Sequence, residues 1–203
     1  MPVIHLVDDD IAVTQACQFL LESLGYDVSI WNDSRTFIAQ APLHTYGIVL
    51  LDMRMPDPDG CRVHQLLREQ HSTLAVIFLT GHGDLPMAVG QMKLGAVDFL
   101  QKPVATQPLQ AALTRAAAVT EKAVADRAIH GRFLTLTPKE RQIAGFVAQG
   151  LMNREIADVA HVAVRTVEVH RAKVMEKMAA GSLAELVTQL NTINAGDSCV
   201  TEN

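Results

Sequence analysis

Cysteine, aromatic residues, long apolar runs and an excess of positive charge are all scarce or missing in this chain. Its 203 residues carry 3 cysteines, Cys17, Cys61 and Cys199, an odd number without C-x-x-C spacing. That argues against a disulfide framework and a cysteine zinc site, and it fits reduced thiols in a cytoplasm. Aromatics are only 4%, so the core must be built from aliphatic side chains. No stretch reaches about 18 uncharged apolar residues, so no membrane span is expected. The first ten residues have no basic segment ahead of their apolar run and end in three acids, so they do not read as a signal peptide. The 8 histidines show no H-x-H or H-E-x-x-H spacing, and no Ser/His/Asp or Cys/His pairing stands out. The formal net charge of −5 speaks, for the chain as a whole, against a nucleic-acid partner.

What is present is aliphatic and ordered in its periodicity. With 49% hydrophobic and 19% charged residues, the chain is neither disordered nor a low-complexity scaffold. Short apolar runs at Val3–Val7, Val28–Trp31, Ile48–Leu51, Ala75–Leu79 and Val97–Leu100 alternate with helix-length segments, the last an Ala-rich one from Gln107 to about Ala125. Such βα alternation predicts an α/β fold with a five-stranded parallel sheet, doubly wound by helices on both faces. After Leu136 only helical patterns remain: one opened by the capping box Thr137-Pro-Lys-Glu140, then about Asn153–Ala160, about Val164–Met178, and one from Ser182 to about Asn191. The expected organisation is an α/β domain over 1–122, a helix end and linker over 123–133, an all-α four-helix domain over 134–192 and a flexible tail over 193–203. The charge divides at this boundary. Residues 1–126 hold 8 basic and 14 acidic side chains, net −6, and residues 127–203 hold 9 and 8, net +1.

Ligand sites in doubly wound sheets form at the carboxyl ends of the strands. Asp8, Asp9 and Asp10 follow the first strand, Asp52 the third, Thr80 the fourth and Lys102 the fifth. Crowded carboxylates want a hard cation, and Mg²⁺, which takes few protein carboxylates and couples to phosphate oxygens, fits. A carboxylate is also a nucleophile toward phosphorus, and a transferring phosphoryl group needs its oxygens neutralised, here by Mg²⁺, Lys102 and Thr80. Each residue alone is an ordinary loop or turn residue. Their coincidence at four strand ends is the signal.

The segments "HLVDDD", "LLDMRMPDPDG", "FLTGHGD" and "GAVDFLQKP" resemble the receiver (CheY-like) domain of bacterial two-component response regulators, over about residues 1–122. The resemblance implies that Asp52 is the phosphoacceptor, that Asp8 and Asp9 are the acidic pair with Asp9 the more direct metal ligand, and that the Arg54 carbonyl completes the Mg²⁺ site. It assigns Thr80 and Lys102 to the phosphoryl group, expects a cis Lys102–Pro103 bond, and makes Phe99 the switch aromatic, which as a buried strand residue it can be at the same time. "TGHGDLPMAV…MKLGAVDF" is similar to the FixJ-like branch and implies pairing of two receivers across a face holding Val89 and Lys93, although Val89 also suits plain helix packing. His82 can tune dephosphorylation or be an idle loop imidazole. A competing aspartyl-phosphate enzyme, the haloacid dehalogenase-type phosphatase, needs a second Asp two residues after its nucleophile. Arg54 stands there, so a switch rather than an enzyme is expected.

In the second half, Val167, His170, Val174 and Met178 share one face of their helix, while Arg165, Val169, Ala172, Lys173 and Glu176 share the other. The preceding helix is expected to bury Ile156, Val159 and Ala160. This is a helix-turn-helix pattern, whose second helix enters the major groove, with Arg165 and Lys173 placed for phosphates or guanine edges. "LTPKERQIAGFVAQGLMNREIA" and "VRTVEVHRAKVMEKM" resemble the LuxR/FixJ-type DNA-binding domain over about residues 134–192. By that resemblance Glu168, Val169 and Ala172 read bases, and Asn153, Arg154, Thr166, Lys173 and Lys177 contact the DNA backbone. Glu168 departs from the Lys often found there, and an acid can accept from cytosine N4. The family implies a sensor histidine kinase, double-stranded promoter DNA, a homodimer on phosphorylation and RNA polymerase as partners, in the cytoplasm. At finer grain "LLESLGYDV" and "VRTVEVHRA" resemble the branch that serves tetrathionate respiration. The alternatives are the same regulator class with a different signal and regulon, an aspartyl-phosphate hydrolase with a helical partner-binding tail, and a signalling adaptor whose helical tail binds protein. The weak basicity of the second half predicts poor DNA binding by a lone monomer.

Overall fold

A computed structural model describes residues 1–81 and 85–198. His82 and Cys199 lie outside the described residues. Among those described, the element order is β1 (Val3–Val7), α1 (Ile11–Ser23), β2 (Val28–Trp31), α2 (Ser34–Gln40), β3 (Gly47–Asp52), α3 (Gly60–Glu69), β4 (Ala75–Thr80), α4 (Leu85–Lys93), β5 (Asp98–Gln101), α5 (Thr106–Leu134), α6 (Pro138–Ala148), α7 (Asn153–Ala160), α8 (Val164–Lys177) and α9 (Leu183–Ser198). The chain divides into two units, one ending at Val124 and the other beginning at Ala125.

In the first unit all strands are parallel, in the order β2-β1-β3-β4-β5. β3 and β4 are buried at every position, because alternate residues serve two apolar layers. Ile48 and Leu50 join Ile4, Leu6, Ile77 and Leu79 against α1 and α5, through Leu21, Leu109 and Leu113. Val49 and Leu51 join Val7, Val76 and Phe78 against α2, α3 and α4, through Phe37, Val63 and Ala88. The helices opposite are started by aspartates. Asp10 accepts from the Ala12 and Val13 amides at 2.9 and 3.3 Å, Asp33 from Thr36 at 2.9 Å, and Asp59 from Arg62 at 2.8 Å. The third acid of the Asp8–Asp10 run is therefore a helix cap.

The second unit packs α6 to α9 around Ile143, Val147, Ile156, Val167, Val174, Met178, Leu186 and Leu190. The capping box forms as expected, with the Thr137 amide donating to Glu140 and the Glu140 amide to the Thr137 hydroxyl. Three expectations fail here. The segment 123–133 is helical throughout as part of α5, and its Ile129 and Phe133 pack against the second core. The tail expected from 193 is helix to Ser198, with Ile193 buried. Val159 is 55% exposed, and Ala157 takes the buried place beside Ile156.

Just beyond α8, Ala179 has φ +51°, a left-handed conformation that costs a residue with a Cβ roughly 1–2 kcal/mol. Its side chain is exposed, so nothing is lost by removing it. Ala179→Gly is expected to stabilise the chain by roughly 0.5–1 kcal/mol after glycine's greater unfolded-state entropy is counted. A rise in the thermal midpoint checks this, and a fall would show that the turn is not strained.

Candidate functional site

The sheet register brings the expected residues to one edge. Val7 pairs with Leu51, Asp52 with Leu79 and Thr80 with Gln101, so Asp8, Asp52, Thr80 and Lys102 end adjacent strands at the same level. Ligand atoms of Asp8, Asp9 and Asp52 all lie within 4.8 Å of one another. The Lys102 ammonium sits between two of them, 2.6 Å from Asp8 Oδ2 and 2.7 Å from Asp52 Oδ1. Lys102–Pro103 is cis. Asp8 and Asp52 are buried, and Asp9 is exposed. The set has hard oxygen donors close enough to share one small cation with bonds of about 2.0–2.1 Å, so the residues fit Mg²⁺.

Electrostatics follow from burial. Desolvation pushes the Asp52 carboxyl up from its ordinary range, with the charges of Asp8 and Asp9 adding, while the hydrogen bond from Lys102 pulls it down. Burial alone would lower Lys102, but its bonds to Asp52 and Asp8 outweigh that and hold its pKa above the usual value. The acid cluster thus keeps the Lys102 ammonium charged.

Neighbouring loops fix the backbone around these groups. The Asp8 amide donates to Trp31 O at 3.1 Å, Asn32 Nδ2 to Asp8 O at 3.0 Å, and the Asp10 amide to Asp8 Oδ1 at 2.9 Å. Ser34 Oγ donates to Pro58 O at 2.8 Å and Arg35 Nε to Asp57 O at 3.0 Å, tying the loop after β3 to α2. Nothing in the sequence singled out Asn32, Ser34 or Arg35. Arg54 lies exposed in that loop, two residues past Asp52. Thr80 is buried, and its hydroxyl donates to Leu100 O at 3.3 Å rather than standing free. Phe99 is half-buried against the α2–α4 core, and Val89 and Lys93 are exposed on α4.

Behind the site, His5 occupies a buried position of β1. Its Nδ1 accepts from Trp31 Nε1 at 3.2 Å, and among the described residues its Nε2 has no partner. His64, buried against Phe78, bonds Gln91 on α4 through Nδ1 at 2.7 Å. Burial pushes both imidazoles below the ordinary 6.5. An unfolded chain therefore takes up protons near 6.5 that the folded one refuses, so stability is complete above that pH and is lost as pH falls below it. Each histidine contributes a slope of up to about 1.4 kcal/mol per pH unit in that window. Asp52, raised by burial, acts in the opposite sense, in the lower range above its unfolded value of 3.8. The urea midpoint by circular dichroism is expected to fall between pH 7.5 and 5.5, and less so in His64→Gln; an unchanged midpoint would mean that both rings protonate freely in the fold.

In the second unit, α8 turns Val167 and Val174 inward, with Met178 buried at its C-cap, and leaves Arg165, Glu168, Val169, Ala172 and Lys173 exposed. Arg154 is also exposed, and Thr166 is half-buried with its amide bonded to Ala163 O. Asn153 Oδ1 accepts from Arg171 Nη1 at 2.5 Å, which ties α7 to α8. Arg171 was not among the residues expected to matter. Lys177, expected at the DNA backbone, has its ammonium 2.6 Å from the buried Glu140 carboxylate and 3.5 Å from Thr135 O, so in this structure it is engaged within the domain. That contact and the bonds from Thr137 lower the Glu140 carboxyl to about 2.

Comparison with known proteins agrees with both halves. The family model described as "Response regulator receiver domain" matches residues 4–114, and "Bacterial regulatory proteins, luxR family" matches residues 134–190. The tetrathionate response regulatory protein TtrR of Salmonella typhimurium is 66% identical over 187 residues, 92% of this chain and 91% of that protein. The transcriptional regulatory protein FixJ of Bradyrhizobium diazoefficiens is 41% identical over 188 residues, 91% of this chain and 92% of that protein. Among solved structures, the response regulator StyR is similar with a TM-score of 0.70 at 34% identity, over 94% of this chain and 98% of that one. Full-length FixJ from B. japonicum has a TM-score of 0.55 at 37% identity, over 96% of this chain and 98% of that one.

Proposed function

Because this chain belongs to the response regulators that join a receiver domain to a LuxR-family DNA-binding domain, we propose that it is a transcription regulator switched on when Asp52 takes a phosphoryl group from a sensor histidine kinase. The observation that carries this reading is the meeting of Asp8, Asp9, Asp52 and Lys102 at one sheet edge. Asp52 is the nucleophile: a carboxylate oxygen attacks phosphorus while the bond to the donor nitrogen breaks. Asp8, Asp9, Asp52 and the Arg54 carbonyl would hold Mg²⁺, whose chemistry when bound is to neutralise phosphoryl oxygens. Lys102 exchanges its contact with Asp52 for a phosphoryl oxygen.

Thr80 gives up its bond to Leu100 O to donate to the same group. Phe99, on the neighbouring strand β5, follows inward, and the surface around Val89 and Lys93 becomes the face on which two receivers pair. Pairing raises the effective concentration of the second DNA-binding unit, which makes up for a weakly basic recognition surface. With Arg54 where a hydrolase needs an acid, labelling should be stoichiometric rather than catalytic. The high identity to a tetrathionate response regulator supports activation of tetrathionate-respiration genes, together with RNA polymerase, in the cytoplasm.

Incubation of the full chain with a small-molecule phosphodonor and Mg²⁺, followed by promoter DNA from such genes, tests this. The expected result is one label per chain and a salt-sensitive DNA shift that strengthens with labelling. Equal shifts with and without label would overturn the gating.

A further inference from the structure

The exposed face of α8 carries charge of both signs near its N-terminus, the end that a helix-turn-helix presents to base edges. Arg165 Nη1 lies 3.2 Å from Glu168 Oε2, an i,i+3 pair whose side chains are 84% and 43% exposed. Beside them stand Val169 and Ala172, small and exposed, which leave room for close approach. Lys173 and Glu176, further along the same face, cancel as well, so this face has no net charge with which to hold phosphates.

Such a pair contributes little to folding, since an exposed ion pair is screened by water and costs side-chain freedom. Its consequence lies in what it can meet. In the major groove a G·C pair offers two acceptors, guanine O6 and N7, next to one donor, cytosine N4–H₂. A guanidinium and a carboxylate held side by side form the complementary pattern. Against a pair offering no donor within reach, the carboxylate would be desolvated among acceptors, which is unfavourable.

We propose that Arg165 and Glu168 act as one reader of a G·C pair in each half-site, with Arg165 donating to guanine and Glu168 accepting from cytosine N4. This rests on the DNA-binding reading above and adds its specificity. Glu168 on this account trades general affinity for discrimination, and Arg165 is oriented by it.

The test is selection of bound duplexes from a randomised pool by the full, phosphodonor-treated chain, as wild type, Glu168→Ala, Glu168→Gln and Arg165→Ala. Wild type is expected to require G·C at one position of each half-site. Glu168→Ala should relax that position roughly tenfold while binding random DNA more tightly, and Arg165→Ala should relax the same position. Glu168→Gln should shift it toward A·T, because an amide both donates to and accepts from adenine. If wild type selects a motif and Glu168→Ala selects the same one with unchanged strength, the paired reader is wrong though the regulator stands. If wild type selects no motif at all, the DNA-binding reading falls first.

Discussion

Asp52→Asn is expected to leave the chain without detectable acyl phosphate while making the receiver more stable. The loss is chemical. Asparagine keeps the shape at the end of β3 but its amide oxygen is not a nucleophile toward phosphorus, and one of the three carboxylates that fit Mg²⁺ disappears. The gain in stability follows from the direction of the Asp52 shift. Burial raises its pKa, so at neutral pH the fold holds an ionised group that it disfavours relative to the unfolded chain, and removing that charge should raise the thermal midpoint. Lys102 keeps Asp8 as a partner, which limits any compensating loss. Labelling with a phosphodonor and a thermal melt on the same sample read both effects. Labelling of the variant at the wild-type rate would put the phosphoryl group on another residue.

The largest structural effect is expected at Gly60, the first residue of α3. A Cβ built there would lie 2.2 Å from Asp52 O and 2.9 Å from Met53 Cα. Both are backbone atoms at the strand end that carries Asp52, the proposed phosphoacceptor, so no side-chain rotation can relieve the clash. The Gly60 amide also donates to Met53 O at 3.3 Å, which keeps the two segments pressed together. Gly60→Ala should therefore cost about 3 kcal/mol, in the range of severe overpacking, and slow phosphorylation by displacing Asp52. Gly90, inside α4 with nothing within 4 Å of its would-be Cβ, is the control: Gly90→Ala should stabilise by about 0.5–1 kcal/mol. Urea denaturation of the two variants separates the cases. Equal midpoints would mean that the loop after β3 yields freely.

Neither contact distance was visible in the sequence, where Asp57-Pro-Asp-Gly60 reads only as a turn. What the sequence does reveal are features carried by neighbouring residues. Five apolar runs bounded by polar residues placed the strands, two of them to the residue. The residues proposed to handle phosphate stand out because Asp8, Asp52 and Thr80 directly follow such runs and Lys102 comes two residues after one. The Thr137 capping box located the start of α6 because a cap is a local code.

Features that depend on distant partners were hidden. His130-Gly131-Arg132 looks like a break, yet a helix tolerates one glycine at about 1 kcal/mol, and burial of Ile129 and Phe133 against residues far along the chain offsets it. Asp8, Asp9 and Asp10 are identical letters, and only the turn into α1 separates two candidate ligands from a cap. Lys177 reads as a basic helix residue until Glu140, 37 positions earlier, is found beside it.

Trp31 offers its indole to His5 and its carbonyl to the Asp8 amide, and it is the chain's only tryptophan. Both tyrosines, Tyr26 and Tyr46, also precede residue 124. Intrinsic tryptophan and tyrosine emission therefore belongs wholly to the receiver, and the DNA-binding unit is optically silent but for phenylalanine. A fragment holding only that unit would pass unseen through a detector set to indole absorbance. Conversely, any change in emission on adding divalent metal or phosphodonor originates in the unit whose acidic edge Trp31 adjoins, without a label having to be introduced.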